Sequence, residues 1–92
     1  MTMTITHNTT AQRFETTIDG ITAYLSYQVA SDDTLIYDHT IVPSALGGRG
    51  IGSALTKFAL DYAIKHDKKV VPSCSFVAHY INKHTQYQSV LK

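Results

Sequence analysis

The run Ile41-Val42-Pro43-Ser44-Ala45-Leu46-Gly47-Gly48-Arg49-Gly50-Ile51-Gly52 carries an apolar strand through a proline and a glycine-rich turn into an amphipathic helix. Glycines at such a junction let the main chain come close to a ligand, and the amides of a first helical turn have no partner within the helix. Together with the helix dipole they favour an anion, so the run offers a phosphate or pyrophosphate site, with Arg49 close by as a positive charge. Two other residues have types that move protons or attack carbonyls. His39 stands just before the run, and an ordinary imidazole titrates near neutral pH as a general base. Cys74 is the single cysteine, able to act as an acid or, as thiolate, as a nucleophile. Each also has a purely structural reading, Cys74 as a small buried apolar residue and His39 as a strand histidine with a satisfied hydrogen bond.

Two familiar phosphate motifs do not fit the run. The dinucleotide fingerprint GxGxxG would need its third glycine at Ser53 or at Leu55. The P-loop spacing is met by Gly47 and Gly52, but Ser53 follows where a lysine is required. The segment instead resembles the coenzyme A loop of the Gcn5-related N-acetyltransferases: Arg or Gln, two residues, Gly, one residue, then Gly or Ala, with Gly50 and Gly52 in the last two places and Gly47 in the first. Binding by main-chain amides does not need the absent side chain, and Arg49 is placed to supply charge from two residues on. Val70-Val71-Pro72-Ser73-Cys74-Ser75-Phe76-Val77, continuing through Ala78-His79-Tyr80-Ile81 to His84 and Tyr87, is similar to the ending of a small subgroup of that family, the YjdJ-type acetyltransferases. His39-Thr40-Ile41-Val42-Pro43 is similar to the subgroup's approach to its loop.

The resemblance implies transfer of an acetyl group from acetyl-CoA to an amine. Val42, Gly47, Gly48, Arg49, Gly50, Ile51, Gly52 and Ser53 then hold the cofactor, with its pyrophosphate on the loop and its pantetheine arm between two splayed strands. The same likeness brings His39 and Cys74 near the acetyl end. His39 is the expected base; Cys74 is the expected acid for the leaving thiolate or the carrier of an acetyl intermediate. Tyr80, on the following helix, is the third expected catalytic residue, because many relatives place an acidic tyrosine there. A small amine, a polyamine or an exposed protein lysine fits as acceptor. Two other readings stand beside this one. A member of the same fold without catalysis would bind acyl-CoA as a sensor, and Gly47-Gly48-Arg49-Gly50 also satisfies the GxxG loop of KH-type RNA-binding modules. Against the latter, a strand precedes the loop and no basic stripe is present.

The elements that must position these residues follow from periodicity. Thr4 to His7 reads as a short strand, and Arg13 to Ile18 as another ending in the hairpin pair Asp19-Gly20. From Ile21 to Val29 the odd positions are apolar, the period of a half-buried strand. Ser31-Asp32-Asp33 turns the chain, and strict alternation then puts Leu35, Tyr37, His39 and Ile41 on one face of the next strand, with Ile36, Asp38, Thr40 and Val42 on the other. Ile51, Leu55, Phe58, Ala59 and Tyr62 recur at helical spacing from Gly50 to about His66, while Leu60 and Ile64 lie off that stripe and ask for a second covering layer. Val70 to Cys74 reads as the last strand, and Phe76 to about His84 as a shorter helix. The expected fold is α/β, one domain over residues 1–92: a mixed central sheet, a strand, glycine loop, helix and strand crossover, and a short C-terminal helix.

Composition bounds the function classes. A chain of 92 residues buries roughly 60% of its unfolded surface and leaves no room for a separate substrate domain. Eight basic and seven acidic residues give a net charge of +1, so nucleic acid and anionic membrane are not expected partners. No apolar run nears the ~20 residues of a membrane span, and Met1-Thr2-Met3-Thr4 lacks a signal-peptide pattern. One cysteine cannot form an internal disulfide, which together with these points implies a cytoplasmic protein. Five scattered histidines without ligand spacing imply no metal; Lys65, Lys68 and Lys69 read as a solvated helix end, or more weakly as a contact for the cofactor's ribose phosphate.

Overall fold

The Asp19-Gly20 pair has φ of +54° and +76°, the left-handed geometry of a tight hairpin, and it joins strands β2 (Arg13–Ile18) and β3 (Ile21–Ser31) in register from Ile18↔Ile21 to Arg13↔Ser26. The computed structural model describes residues 3–92, so Met1 and Thr2 of the threonine-rich start lie outside the described residues. A short β1 (Thr6–Asn8) pairs with β2, and β4 (Thr34–Ile41) returns antiparallel to β3 across the Asp32-Asp33 turn. Helix α1 (Ile51–Lys65) then crosses to β5 (Lys69–Pro72), which lies parallel to β4, and α2 (Ser75–Lys83) and a 3-10 segment (Thr85–Val90) complete the chain. The sheet order is β1-β2-β3-β4-β5. This is the mixed α/β sheet with one crossover unit that the sequence implies.

One face of the sheet forms the core. Phe14, Ala23, Leu25, Tyr37 and Val70 are fully buried against Leu55, Ala59 and Ala63 of α1, and the Tyr37 hydroxyl donates to the Ala59 carbonyl at 2.6 Å. Leu60, off the expected stripe, is also fully buried; α2 and the 3-10 segment supply the second layer through Val77, Ile81, Tyr87 and Val90. Ile64 stays 46% exposed and Phe58 38% exposed, so the buried stripe is rotated toward Thr56 and Leu60 relative to the expectation. Thr56 is accommodated because its hydroxyl donates to the Gly52 carbonyl one turn back. The opposite face carries polar contacts, including Arg13 over the Tyr24 ring and Ser26 donating to Asp38.

Strict alternation fails in β4. Ser26 pairs with His39 but Tyr27 pairs with Tyr37, so Asp38 is an extra residue, a β-bulge. Before the bulge Leu35 and Tyr37 point into the core; beyond it the phase is reversed, and Thr40, paired with Leu25, takes the core side. His39 and Ile41 therefore turn to the opposite face from Leu35 and Tyr37, not to the same one. The Asp38 carboxylate is held by Ser26 at 2.6 Å and Gln28 at 3.1 Å, which ties the extra residue down.

Candidate active site

The glycine loop is built on a buried anchor. After Pro43 the chain makes one 3-10 turn (Ser44–Leu46), closed by Leu46 N–H to the Pro43 carbonyl at 2.8 Å, and Leu46 is buried beneath it. Gly48 and Gly50 then adopt φ of +78° and +73°, and a Cβ on either would meet nothing within 4 Å. Backbone conformation, not crowding, requires glycine there. Gly52 differs: a Cβ would sit 3.0 Å from the Phe76 ring, so its lack of a side chain lets α2 close on the first turn of α1. The first helical hydrogen bond runs from Ala54 N–H to the Gly50 carbonyl, and no side chain caps the helix. The amides of Ile51, Gly52 and Ser53 thus precede the helical bonding pattern, as an anion site needs.

Val42, Gly47, Gly48, Gly50, Ile51, Gly52 and Ser53 line a cleft of about 310 Å³ together with Leu46 and Phe76. The sequence reading missed the last two. Leu46 is signalled only by being apolar inside a polar turn, and Phe76 comes from a separate helix. Arg49 is not among the lining residues; its guanidinium reaches Asp19 of the β2–β3 turn at 3.9 Å, an exposed pair of small energetic weight.

From this cleft an unpaired main-chain edge leads inward. β4 and β5 pair from Thr34↔Lys69 to Tyr37↔Pro72, and a last contact joins Cys74 N–H to the Tyr37 carbonyl at 3.0 Å. Beyond it His39 to Ile41 pair only with β3, so that apart from the Thr40 amide, which faces the Cys74 thiol, their other edge has no strand partner. Cys74 sits at the head of this gap, as the residue preceding the first turn of α2. Its Sγ lies 3.5 Å from the Thr40 hydroxyl. Burial pushes the thiol's pKa up, but hydrogen bonds from the Thr40 hydroxyl and from the amides of Val77, Phe76 and Thr40 outweigh it, and the net direction is down.

The three expected catalytic residues do not converge as one cluster. Cys74 and Thr40 share the core side of the gap, whereas the bulge sets the exposed His39 on the opposite face, beside Asp38. Burial pushes Asp38 up, yet its bonds from Ser26 and Gln28 and the neighbouring His39 bring it below the ordinary carboxylate value. Tyr80 stands further down α2, about 9 Å along the axis from Cys74 by helical rise. There it stacks on His84 at 4.0 Å and lines a separate groove with Ser53, Phe76, His79 and Lys83. Thr40 is the residue that sequence reasoning overlooked; alternation assigned it to the wrong face. Among the described residues, no group of three His, Cys, Asp or Glu side chains gathers as a metal site, and no helix is long and apolar enough to cross a membrane.

A strand feeding a glycine loop into a helix, with the next parallel strand diverging, is the arrangement of an acetyltransferase of the Gcn5-related class, and the chain belongs to that family. The family model described as GCN5-related N-acetyl-transferase matches residues 13–90. The chain is 30% identical over 81 residues to the protein named NATD1 of Xenopus tropicalis, spanning 86% of this chain and 74% of that one, and equally so to its counterpart in Mus musculus. The solution structure of a GCN5-like putative N-acetyltransferase from Staphylococcus aureus superposes with a TM-score of 0.76 at 30% identity, covering 97% of this chain and 87% of that one. With the family and fold established, the KH reading falls: Gly47 to Gly50 join a strand and 3-10 turn to a helix, not two helices.

Proposed function

We propose that the protein transfers an acetyl group from acetyl-CoA to an amine, with the cofactor's pyrophosphate on the amides of Ile51, Gly52 and Ser53 and its pantetheine arm along the free edge of β4. The observation that carries this reading is the continuity of the glycine-loop cleft with an unpaired strand edge that ends at Cys74. An acetyl thioester in the gap has the Cys74–Thr40 pair on one side and His39 on the other. The amine attacks the carbonyl from the open face and His39 takes its proton; as the carbon–nitrogen bond forms and the carbon–sulfur bond breaks, Cys74 protonates the departing thiolate. The lowered thiol pKa also supports a two-step course, in which the Cys74 thiolate takes the acetyl group first and the amine removes it. Tyr80, turned into the other groove, has no part in this arrangement. The acceptor class is a small amine, a polyamine or a protein lysine approaching the uncovered face beside Asp38 and His39.

The test is a calorimetric titration with acetyl-CoA on wild type and Cys74→Ala, followed by turnover with a panel of amines. Both proteins bind, and Cys74→Ala loses at least about 100-fold in turnover. Mass spectrometry of wild type after acetyl-CoA alone separates the two courses, since only the two-step one leaves acetyl on Cys74. Full activity in the variant would remove the thiol from the mechanism; binding without turnover by any acceptor would favour the acyl-CoA sensor.

A further inference from the structure

The bulge in β4 brings two consecutive residues, Asp38 and His39, to the same face of the sheet, the one turned away from α1. His39 pairs with Ser26, and the Asp38 carboxylate accepts from the Ser26 hydroxyl at 2.6 Å and the Gln28 side-chain amide at 3.1 Å. In a regular strand neighbours alternate, and this carboxylate and imidazole would face opposite ways. Both stand where β4 and β5 part, since the carbonyl of Tyr37, one residue earlier, accepts the last bond across from Cys74.

The charge of Asp38 is not compensated within the protein. Its two donors are neutral, and it enters none of the ion pairs found among the described residues. Burial pushes its pKa up, but the bonds from Ser26 and Gln28 and the neighbouring His39 bring it down on balance, so the group is ionised at neutral pH. Glu15, a second carboxylate on this face, is instead held by Arg13 at 3.1 Å and by Asn8 at 2.7 Å. Arg13 follows Ser26 in the same cross-strand row, committed to Glu15 and lying over the Tyr24 ring. A cation entering beside the gap thus meets one free negative charge and, farther off, a positive one that disfavours a longer basic chain. Ile36 and Ile41 flank the Asp38–His39 pair along the same face and offer methylene groups an apolar contact.

An amine that attacks a thioester must first give up its proton, and a carboxylate bound to that same ammonium would hold the proton on it. A carboxylate that stays ionised beside the gap therefore suits a second ammonium on the same molecule, one that keeps its charge through the reaction. We infer that Asp38 selects the acceptor and that the acceptor is a short diamine, with one ammonium on Asp38 and the other amine in the gap beside His39. The inference rests on the acetyl-transfer reading. As the reacting amine bonds to the acetyl carbon its proton passes to His39, the carbon–sulfur bond breaks and Cys74 protonates the departing thiolate, while the distal ammonium is unchanged.

Steady-state kinetics with diaminobutane, butylamine and aminobutanoate, which share one carbon chain and differ only in the group at its far end, test it. Wild type gives a kcat/KM about tenfold higher for diaminobutane than for butylamine, carried by KM, with aminobutanoate the poorest of the three. In Asp38→Asn, whose side-chain carbonyl keeps a bond from Ser26, the ratio of the first two falls to about one. High salt lowers the same ratio in wild type, a check that requires no variant. Comparable values for all three amines in wild type would overturn the inference and leave acetyl transfer standing, as would an undiminished ratio in Asp38→Asn. No turnover of any of the three by protein that binds acetyl-CoA would overturn it as well; failure to bind acetyl-CoA would remove the cofactor reading and this inference with it.

Discussion

Strand β4 is paired on both edges from Thr34 to Tyr37 and on one edge only from His39 to Ile41, with Asp38 bulged out between them. In the first half Leu35 and Tyr37 are buried and the strand is a core element; in the second, His39 and Ile41 are exposed and one edge of the strand has no strand partner. The boundary is the Asp38 bulge. A single extra residue reverses the side-chain phase and coincides with the divergence of β5. On the proposed reading stability and ligand binding fall to different halves of one strand, and substitutions in the two halves have different consequences.

Leu35→Ala, in the doubly paired half, costs about 2–5 kcal/mol in denaturant unfolding, because the lost side chain leaves a cavity between sheet and helix. Its residual folded population binds acetyl-CoA with unchanged affinity; a binding defect without a stability defect would erase the distinction between the halves. Gly50→Val acts in the glycine loop beyond the free half. A β-branched residue at φ +73° strains the loop by about 1–2 kcal/mol and turns the amides of α1 away from their ligand, so acetyl-CoA affinity falls at least about 100-fold. Unchanged affinity in that variant would show that the loop does not hold the pyrophosphate.

Smaller effects separate the halves more finely. Thr40→Val removes a hydroxyl that helps depress the Cys74 thiol. The ionisation midpoint of Cys74, followed by the pH dependence of alkylation, moves upward, while the melting temperature shifts by no more than a few degrees. An unmoved midpoint would assign the depression to the main-chain amides of Phe76, Val77 and Thr40. The smallest effect lies far from β4, in β1. His7 is stacked on Phe14 at 4.4 Å, edge-on to Tyr62, with Nε2 2.6 Å from the Tyr27 hydroxyl. Burial, then the nearby His66, lowers its pKa below 6.5. A group whose folded pKa is depressed contributes stability that is present above the unfolded value of about 6.5 and is lost as pH falls through the folded value. Melting temperature therefore declines below about pH 6.5, less steeply in His7→Gln, whereas the ligand edge of β4 is unaffected. Identical pH profiles for the two proteins would remove His7 from the linkage.

Much of the fold was legible because its signals are local. Asp19-Gly20 set the hairpin, and the strands Arg13–Ile18 and Ile21–Ser31 follow the expected alternation over most of their length. The glycine loop was legible for the same reason, with positive φ at Gly48 and Gly50 requiring glycine and the amphipathic helix starting directly after it. What escaped was non-local. The bulge at Asp38 is held by Ser26 and Gln28 of the neighbouring strand, the burial of Leu60 by α2 and the 3-10 segment, and the pairing of Arg49 with Asp19 by the approach of a hairpin turn thirty residues earlier in the chain.

The sequence by itself determined where the chain turns, which segments are strands and helices, and that a helix begins with free amides after a glycine junction. These depend on φ, capping and periodicity over a few neighbouring residues. Only the tertiary structure decided that Thr40, and not His39, meets Cys74, that β4 and β5 part at Tyr37, and that the loop opens on a second groove beside Lys83. Register and divergence are fixed by partners on other elements and by burial of one sheet face, so a one-residue insertion far from any glycine or proline reassigns every side chain beyond it.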